Sequence, residues 1–532
     1  MISGKKRRRL LTQGRTLLIS DLLCGLSSLL VAAQSADALH HQIDGQNHQQ
    51  DADDTADVAP HHTVAAGHDA GDLRLDGEHQ GGNTVGFRGN DFTIFQQTIP
   101  HRKEVKTMGA IHDMLKDIPI PRMVEVRQLF DHDHLEDVPG EVRRELSRKE
   151  VTDKIQPGMR IAITAGSRGI DHLALIIREV VSFLKEQGAS PFVIPAMGSH
   201  GGSTAEGQLA IVHEYGVTEE YVGCPVVATM DVTQIGELDD GRPIFINRLA
   251  AEADGIISLN RIKAHTAFRG NYESGVMKML TIGLGCQHGA EVCHRQGILN
   301  LGPNVEKFAF GILKNANVLL GVGIIENAYD QTAMVRVMTK EEIPKMEPEL
   351  LKIAKSRMAC LKLPQVDVLI VDRIGKDISG EGMDPNIAGR WIVPTIQGGI
   401  QASRIGILDI TDKTLGNVVG LGMADTCSKR VVERMSRENT YPNSLTSTVT
   451  CLCKIPMYFD TQKETIQATI KMTPGKAPEE ITMIRIRDTL AMDTIWVSEN
   501  LLPTIRGMRD MEILGSPEEI AFDENGDLLT SV

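Results

Sequence analysis

Basic side chains recur in this 532-residue sequence where apolar runs end. Gly166-Ser167-Arg168 follows MRIAITA, and Gly198-Ser199-His200-Gly201-Gly202 follows SPFVIPAM. Arg261-Ile262-Lys263-Ala264-His265 follows ADGIISLN, and Gly375-Lys376-Asp377 follows PQVDVLIVDRI. Imidazoles titrate near neutral pH and move protons there. Guanidinium and ammonium groups hold carboxylates and phosphates. No GxGxxG follows a strand and no Walker A sequence occurs, so neither nucleotide motif accounts for these groups. His200-Gly-Gly, just ahead of a helix start, is nearest in character to a phosphate-binding turn.

The densest chemistry lies in RIKAHTAFRGNYESGVMKMLTIGLGCQHGAEVCHRQG (261–297), which holds His265, Lys278, His288 and His294 among small and apolar residues. Each has an ordinary reading. A histidine at a strand end makes a hydrogen bond, a lysine is solvated, and glycines make turns. An apolar segment is buried, however, and a buried lysine requires a chemical reason. From the residues alone this is a metal or acid–base site in an α/β protein.

The elements that must position these groups alternate between strand and helix. MRIAITAG (159–166) reads as a buried strand. In the next segment Leu173, Ile176, Ile177, Val180 and Leu184 share one helical face, and Gly188 suits the residue after its C-cap. SPFVIPAMG is a second strand, and Ser203-Thr-Ala-Glu206 is read as a capping box for the following helix. GCPVVATMD, ADGIISLN and NVLLGVGII are read as further strands. Strands separated by helices predict a mostly parallel, doubly wound sheet whose ligands sit at the strand carboxyl ends. KEEIPKMEPELLKIAKSRM reads as an amphipathic connector. PQVDVLIVDRIG opens a second α/β unit with a Gly-rich turn, ISGEGMDPN, and Asn525-Gly526 predicts a hairpin near the end. The expected division is an extension over 1–107, an N-terminal α/β domain over 108–345, a helical connector over 346–363 and a C-terminal α/β domain over 364–532.

Composition bounds the partners. Lys plus Arg is 56 against 70 for Asp plus Glu, a net charge of −14, and aromatics are 4%. Neither a basic stripe nor a base-stacking platform is indicated, which argues against nucleic acid. No apolar run after residue 40 is long enough to span a membrane. The eight cysteines are scattered without a CxxC, as in a reducing compartment, and Cys451-Leu-Cys453 reads as alternate residues of a strand. Residues 1–38 have the outline of a signal peptide, with Lys5-Lys6-Arg7-Arg8-Arg9, an apolar stretch interrupted by Asp21, and small residues before Ala38. Residues 39–92 are rich in His, Asp, Gln and Gly without apolar period, the composition of a disordered tail or of a start codon assigned too early. The expected location is cytoplasmic, or exported if the signal-like segment is used.

GSRG after the first strand, MGSHGG after the second, and KAHTAF…SGVMK…H together resemble the nickel-dependent lactate racemase family over about four hundred residues. The resemblance implies two α/β domains with mostly parallel sheets and a cofactor cleft between them. It implies a racemase or epimerase of a 2-hydroxy acid, an isomerase that uses a nickel-pincer nucleotide. This is a pyridinium mononucleotide whose two sulfurs and a carbon grip Ni(II). It also implies proteins that synthesise the cofactor. The family's cofactor-bound lysine and its Ser-Gly turn fall on Lys278, Ser274 and Gly275. The nickel-ligating histidine, sixteen residues after the lysine, falls on His294. The acid–base histidines fall on His200 and His265, and the arginine that holds the substrate carboxylate falls on Arg168.

The sequence departs from the family in three places. Ala165 stands where the family has Asp, the stretch between His265 and Lys278 is longer, and IGKDISGEGMDPNIAGRW (374–391) replaces a Tyr-Gln-x-x-Lys stretch. These positions bear on lactate as the substrate more than on the cofactor, which leaves another 2-hydroxy acid or a sugar acid as the substrate. Two other readings stay open at this point. One is a non-catalytic nickel-nucleotide binding protein; the other is a metal hydrolase using His200, His265 and His294.

Overall fold

The computed structural model describes residues 109–167 and 169–529. Arg168, the signal-like segment and the polar stretch 39–92 lie outside the described residues. In chain order the strands are β1 (Met123–Gln128), β2 (Arg160–Ala165), β3 (Ser190–Pro195), β4 (Val232–Glu237), β5 (Pro243–Asn247), β6 (Gly255–Arg261), β7 (Val318–Glu326) and β8 (Thr332–Thr339). They continue as β9 (Gln365–Ile374), β10 (Gln401–Ile410), β11 (Thr426–Ser428), β12 (Met457–Phe459), β13 (Met483–Ile486), β14 (Thr494–Ser498) and β15 (Met511–Ile513).

The first sheet runs β3-β2-β6-β7-β8, parallel except for β8. Every residue of β7 is buried, the signature of a parallel strand covered on both faces. Alternation in β2 sends Ile161 and Ile163 into one core and Ala162 into the other. The helix Leu173–Glu186 buries Leu173, Ile176, Ile177, Val180 and Leu184 as its spacing predicts. Each such side chain contributes roughly 2 kcal/mol. Gly188 follows in the left-handed region at φ +81°.

The second sheet runs β12-β11-β10-β9-β13-β14-β1-β15. The first five strands are parallel and the last three alternate in direction. Each sheet reverses its winding once. The chain passes from β2 to β3 on one side and later returns to β6 on the other. Likewise β10 and β13 flank β9 on opposite sides. Crevices at such points, beyond the strand carboxyl ends, are where α/β sheets bind ligands.

Several expectations are corrected. β1 precedes the whole first sheet in sequence but pairs antiparallel with β14, from Met123↔Ser498 to Arg127↔Thr494, and so joins the second sheet. The segment 346–363 is not a simple connector. Its helix spans Ile343–Arg357 and buries Ile343, Leu350, Leu351 and Ala354 in the core beneath the first sheet. GCPVVATMD makes only an isolated bridge, Val226 to Val193. The real pairing nearby is the β4–β5 hairpin, turned at Asp240-Gly241 with Gly241 at φ +79°. The helix Ala205–Glu214 is capped by Thr204, whose Oγ1 accepts from Gly207 N at 3.0 Å, and not by Ser203. Cys451–Cys453 forms a 3₁₀ turn, not a strand. No helix among the described residues is long and apolar enough to cross a membrane.

Candidate active site

The two winding reversals open onto one cavity of about 830 Å³. Its walls come from the segments after β2, β3 and β6 on one side, and from those after β9 and β13 on the other. Ser167, His200, Lys263, His265, Ser274, Lys278, His294 and Lys376 all line it. Gly275 is buried behind the wall, and His288 is exposed against Phe245, away from the cavity.

His200 stands on a loop that only unusual backbone angles allow. Gly201 has φ +64°, and a Cβ there would lie 2.6 Å from the backbone N of Gln208. The Gln208 amide fastens the loop by donating to Gly198 O at 2.9 Å and to His200 O at 3.3 Å. On the imidazole, Nδ1 is hydrogen-bonded to the Ser167 hydroxyl from the segment after β2. A hydroxyl both donates and accepts, so this contact accommodates either tautomer.

His265 is held more tightly. Its backbone N–H donates to Glu273 Oε2 at 2.8 Å. Its carbonyl accepts from Arg269 Nη1 at 2.9 Å and from Asn386 Nδ2 at 3.2 Å. The ring stacks on Phe268 with centroids 4.2 Å apart. Nδ1 accepts the Ala267 N–H at 2.9 Å, so the neutral ring carries its proton on Nε2. Burial, then the charges of Lys278 and Lys263, hold the imidazole well below the usual histidine range.

Glu273 has a fully buried side chain that receives Lys355 Nζ at 2.6 Å and Arg269 Nη1 at 3.2 Å. This carboxylate is thus the hub that ties the His265 loop to the helix Ile343–Arg357. Arg269 extends the tie to the second sheet. It donates to Asn386 Oδ1 at 2.5 Å and lies 4.2 Å over the Trp391 ring.

The long stretch between His265 and Lys278 is pinched at its base. Lys263 and Ser274 exchange backbone hydrogen bonds of 2.9 and 3.1 Å, and Asn260 Nδ2 donates to Gly275 O at 3.1 Å. Within the pinched stretch Thr266 and Ala267 line the cavity and Phe268 and Tyr272 are buried, while Lys278 stays on the cavity wall. The turn Val276–Lys278 is anchored from behind by Glu347, which is buried and accepts Met277 N at 3.0 Å. A Cβ at Gly275 would lie 2.2 Å from Glu347 Oε1, so this position has room only for glycine. Burial, opposed by the backbone N–H groups of Met277 and Val276, pushes the Glu347 carboxyl up to about 8. A π-helical turn, Met279–Gly283, then leads to the helix Cys286–His294. His294 ends that helix at the cavity, and burial together with the Lys278 charge brings its pKa to about 4.

Residues 117–301 match the family model of the lactate racemase N-terminal domain. The family segment holds His200, His265, Ser274, Gly275, Lys278 and His294, and Arg168 as well. Lys376, Glu381 and Asn386 come from beyond its end. The chain is similar to the lactate racemase apoprotein from Thermoanaerobacterium thermosaccharolyticum at 17% identity, with a TM-score of 0.40, over 67% of this chain and 92% of that one. It is also similar to a structural-genomics protein from Thermotoga maritima at 13% identity, with a TM-score of 0.39, over 52% of this chain and 72% of that one. No curated protein matches it.

Arg269, Asn386, Glu347 and Glu381 are residues around this cavity that sequence reasoning did not place in roles. One signal was available. Ile343, Glu347, Leu350, Leu351 and Ala354 share a helical face, so a glutamate stands in an otherwise apolar stripe. Among the described residues no group of three or more His, Cys, Asp or Glu side chains is arranged to hold a metal.

Proposed function

We propose that this chain interconverts the configurations of a 2-hydroxy acid, as a racemase or epimerase. The observation that carries this reading is one cavity lined by two imidazoles, His200 and His265, that arrive on separate loops. Inverting a carbon requires proton handling from two directions. His200 can change tautomer through the Ser167 hydroxyl and serves as a base or an acid. His265 presents Nε2–H and suits donation to a substrate oxygen. Accepting a proton there requires its ring to release the Ala267 N–H. Arg168, outside the described residues, is assigned the substrate carboxylate through paired hydrogen bonds.

The residues present suit the family's nickel-pincer nucleotide. His294 is a neutral imidazole on the wall, as suits a metal whose other donors the nucleotide supplies. Lys278, with Ser274 and Gly275 forming its turn, would hold the nucleotide, and His294 would ligate the nickel. When bound, the group supplies an acceptor for the substrate's hydride. The chain's own part is to hold Lys278 at the wall, keep His265 and His294 neutral through burial, and manage the hydroxyl proton.

The test is protein purified from cells able to make the pincer nucleotide. Denatured wild-type protein should carry an adduct on the peptide containing Lys278, Lys278→Ala should lack it, and chiral chromatography should show interconversion of a 2-hydroxy acid. Protein that binds no nickel through sulfur and converts none of these acids overturns the assignment.

A further inference from the structure

The wall built by the second sheet contains an acid that the proposed proton transfers do not use. Glu381, in the Gly-rich turn after β9, is only 7% exposed, lines the cavity, and its Oε2 makes no hydrogen bond. The turn around it cannot relax to give it one. Gly375 N donates to Gly382 O at 2.9 Å, and Gly382 N donates to Ser379 O at 3.0 Å. On the neighbouring turn, a Cβ at Gly420 would lie 1.8 Å from Glu381 O, which marks how closely the two backbones are packed. A buried acceptor left without a donor is unfavourable unless a ligand provides one. Burial and the nearby Asp384 push its carboxyl up to about 8 against the pull of Lys376.

The surroundings define what that ligand offers. Ser379, Asp384 and Lys376 line the same wall, and Lys376 Nζ donates to Gly380 O. A cationic ligand group would meet the Lys376 charge, and an anionic one would meet Glu381 and Asp384. A neutral group with several hydroxyls satisfies both signs, since each O–H donates to a carboxyl and its oxygen accepts from an ammonium or a serine. We propose that Glu381, with Ser379, Asp384 and Lys376, forms a subsite for a vicinal diol of the cleft's ligand. Two ligands carry that chemistry: a polyhydroxy 2-hydroxy acid, and the ribose of a pyridinium mononucleotide. The first source rests on the racemase reading; the subsite itself does not.

Binding separates the sources without turnover. The full chain, with no cofactor, is titrated calorimetrically with D-gluconate, nicotinic acid mononucleotide and lactate, as wild type, Glu381→Gln and Glu381→Ala. The glutamine variant keeps the shape of the turn, and its melting curve checks the fold. Loss of a hydroxyl partner should weaken the diol ligand about 10- to 100-fold in Glu381→Ala and leave lactate unchanged. A loss confined to gluconate assigns the subsite to the substrate; a loss confined to the mononucleotide assigns it to ribose. Equal weakening of all three ligands, no weakening of either diol, or a wild-type chain that binds neither diol overturns the subsite. Failure of the racemase reading appears separately, as no stereochemical conversion of any 2-hydroxy acid by loaded enzyme.

Discussion

Replacing Glu347 by glutamine should make the protein more stable at neutral pH and change little in acid. The carboxyl is buried, and its pKa rises from the ordinary 4.5 to about 8 on folding. Below pH 4.5 both folded and unfolded chains hold the proton, and the group contributes no difference. Between 4.5 and 8 the unfolded chain releases a proton that the folded chain keeps, so stability falls as pH rises, by about 1.4 kcal/mol per pH unit. By pH 7 the accumulated loss is about 3 kcal/mol. A glutamine has no such proton to lose. Its carbonyl can accept the Met277 N–H as Oε2 does, and its NH₂ takes the place of Oε1, which has no partner in the native chain. In a body of this size a change of 1 kcal/mol moves Tm by roughly 1 °C. Calorimetric melting should therefore show the two proteins together near pH 5 and Glu347→Gln higher by about 3 °C at pH 7. A separation that stays constant from pH 5 to 8 would refute the reasoning, because it would mean that Glu347 is ionised in the folded chain throughout.

His200→Ala and His265→Ala should each lower the interconversion rate by about 10²–10⁴-fold with little change in Tm, and full turnover in either removes that imidazole from the mechanism. Glu273→Ala strands the His265 N–H, but Lys355 and Arg269 are about a third exposed and remain hydrated. The expected stability cost is roughly 1–3 kcal/mol, with kcat falling more than KM rises; steady-state kinetics with unchanged kcat contradicts the positioning role. Gly201→Ala forces a side chain into the left-handed region against the Gln208 backbone, so a cost of about 1–3 kcal/mol and loss of activity are expected; a soluble variant of native Tm and rate contradicts the loop geometry.

Local regularities are legible in the amino-acid order itself. The helix face of Leu173, Ile176, Ile177, Val180 and Leu184 follows from a period of 3.6, and β2, β3, β6, β7 and β9 follow from short apolar runs. Both signals depend only on near neighbours in the chain. The basic residues after β2, β3, β6 and β9 are legible as well, because parallel topology sends strand carboxyl ends the same way. The β4–β5 hairpin is written in Asp240-Gly241 but is outweighed in the sequence by the more apolar GCPVVATMD, which meets β3 only around Val193 and so remains a bridge.

Tertiary structure alone decided the rest. β1 has nothing in its six residues to choose between the two sheets; that choice depends on β14 and β15, more than 350 residues away. Glu273, Glu347 and Glu381 look in sequence like ordinary solvated charges. They are buried because three different elements close over them, and whether a carboxylate keeps its water depends on what packs against it from elsewhere. The apolar residues and turn signals determined which elements form. The closing of one sheet's crevice on the other's determined which of their polar groups share a cavity, since the segments that meet there are distant in sequence and no local pattern records their encounter.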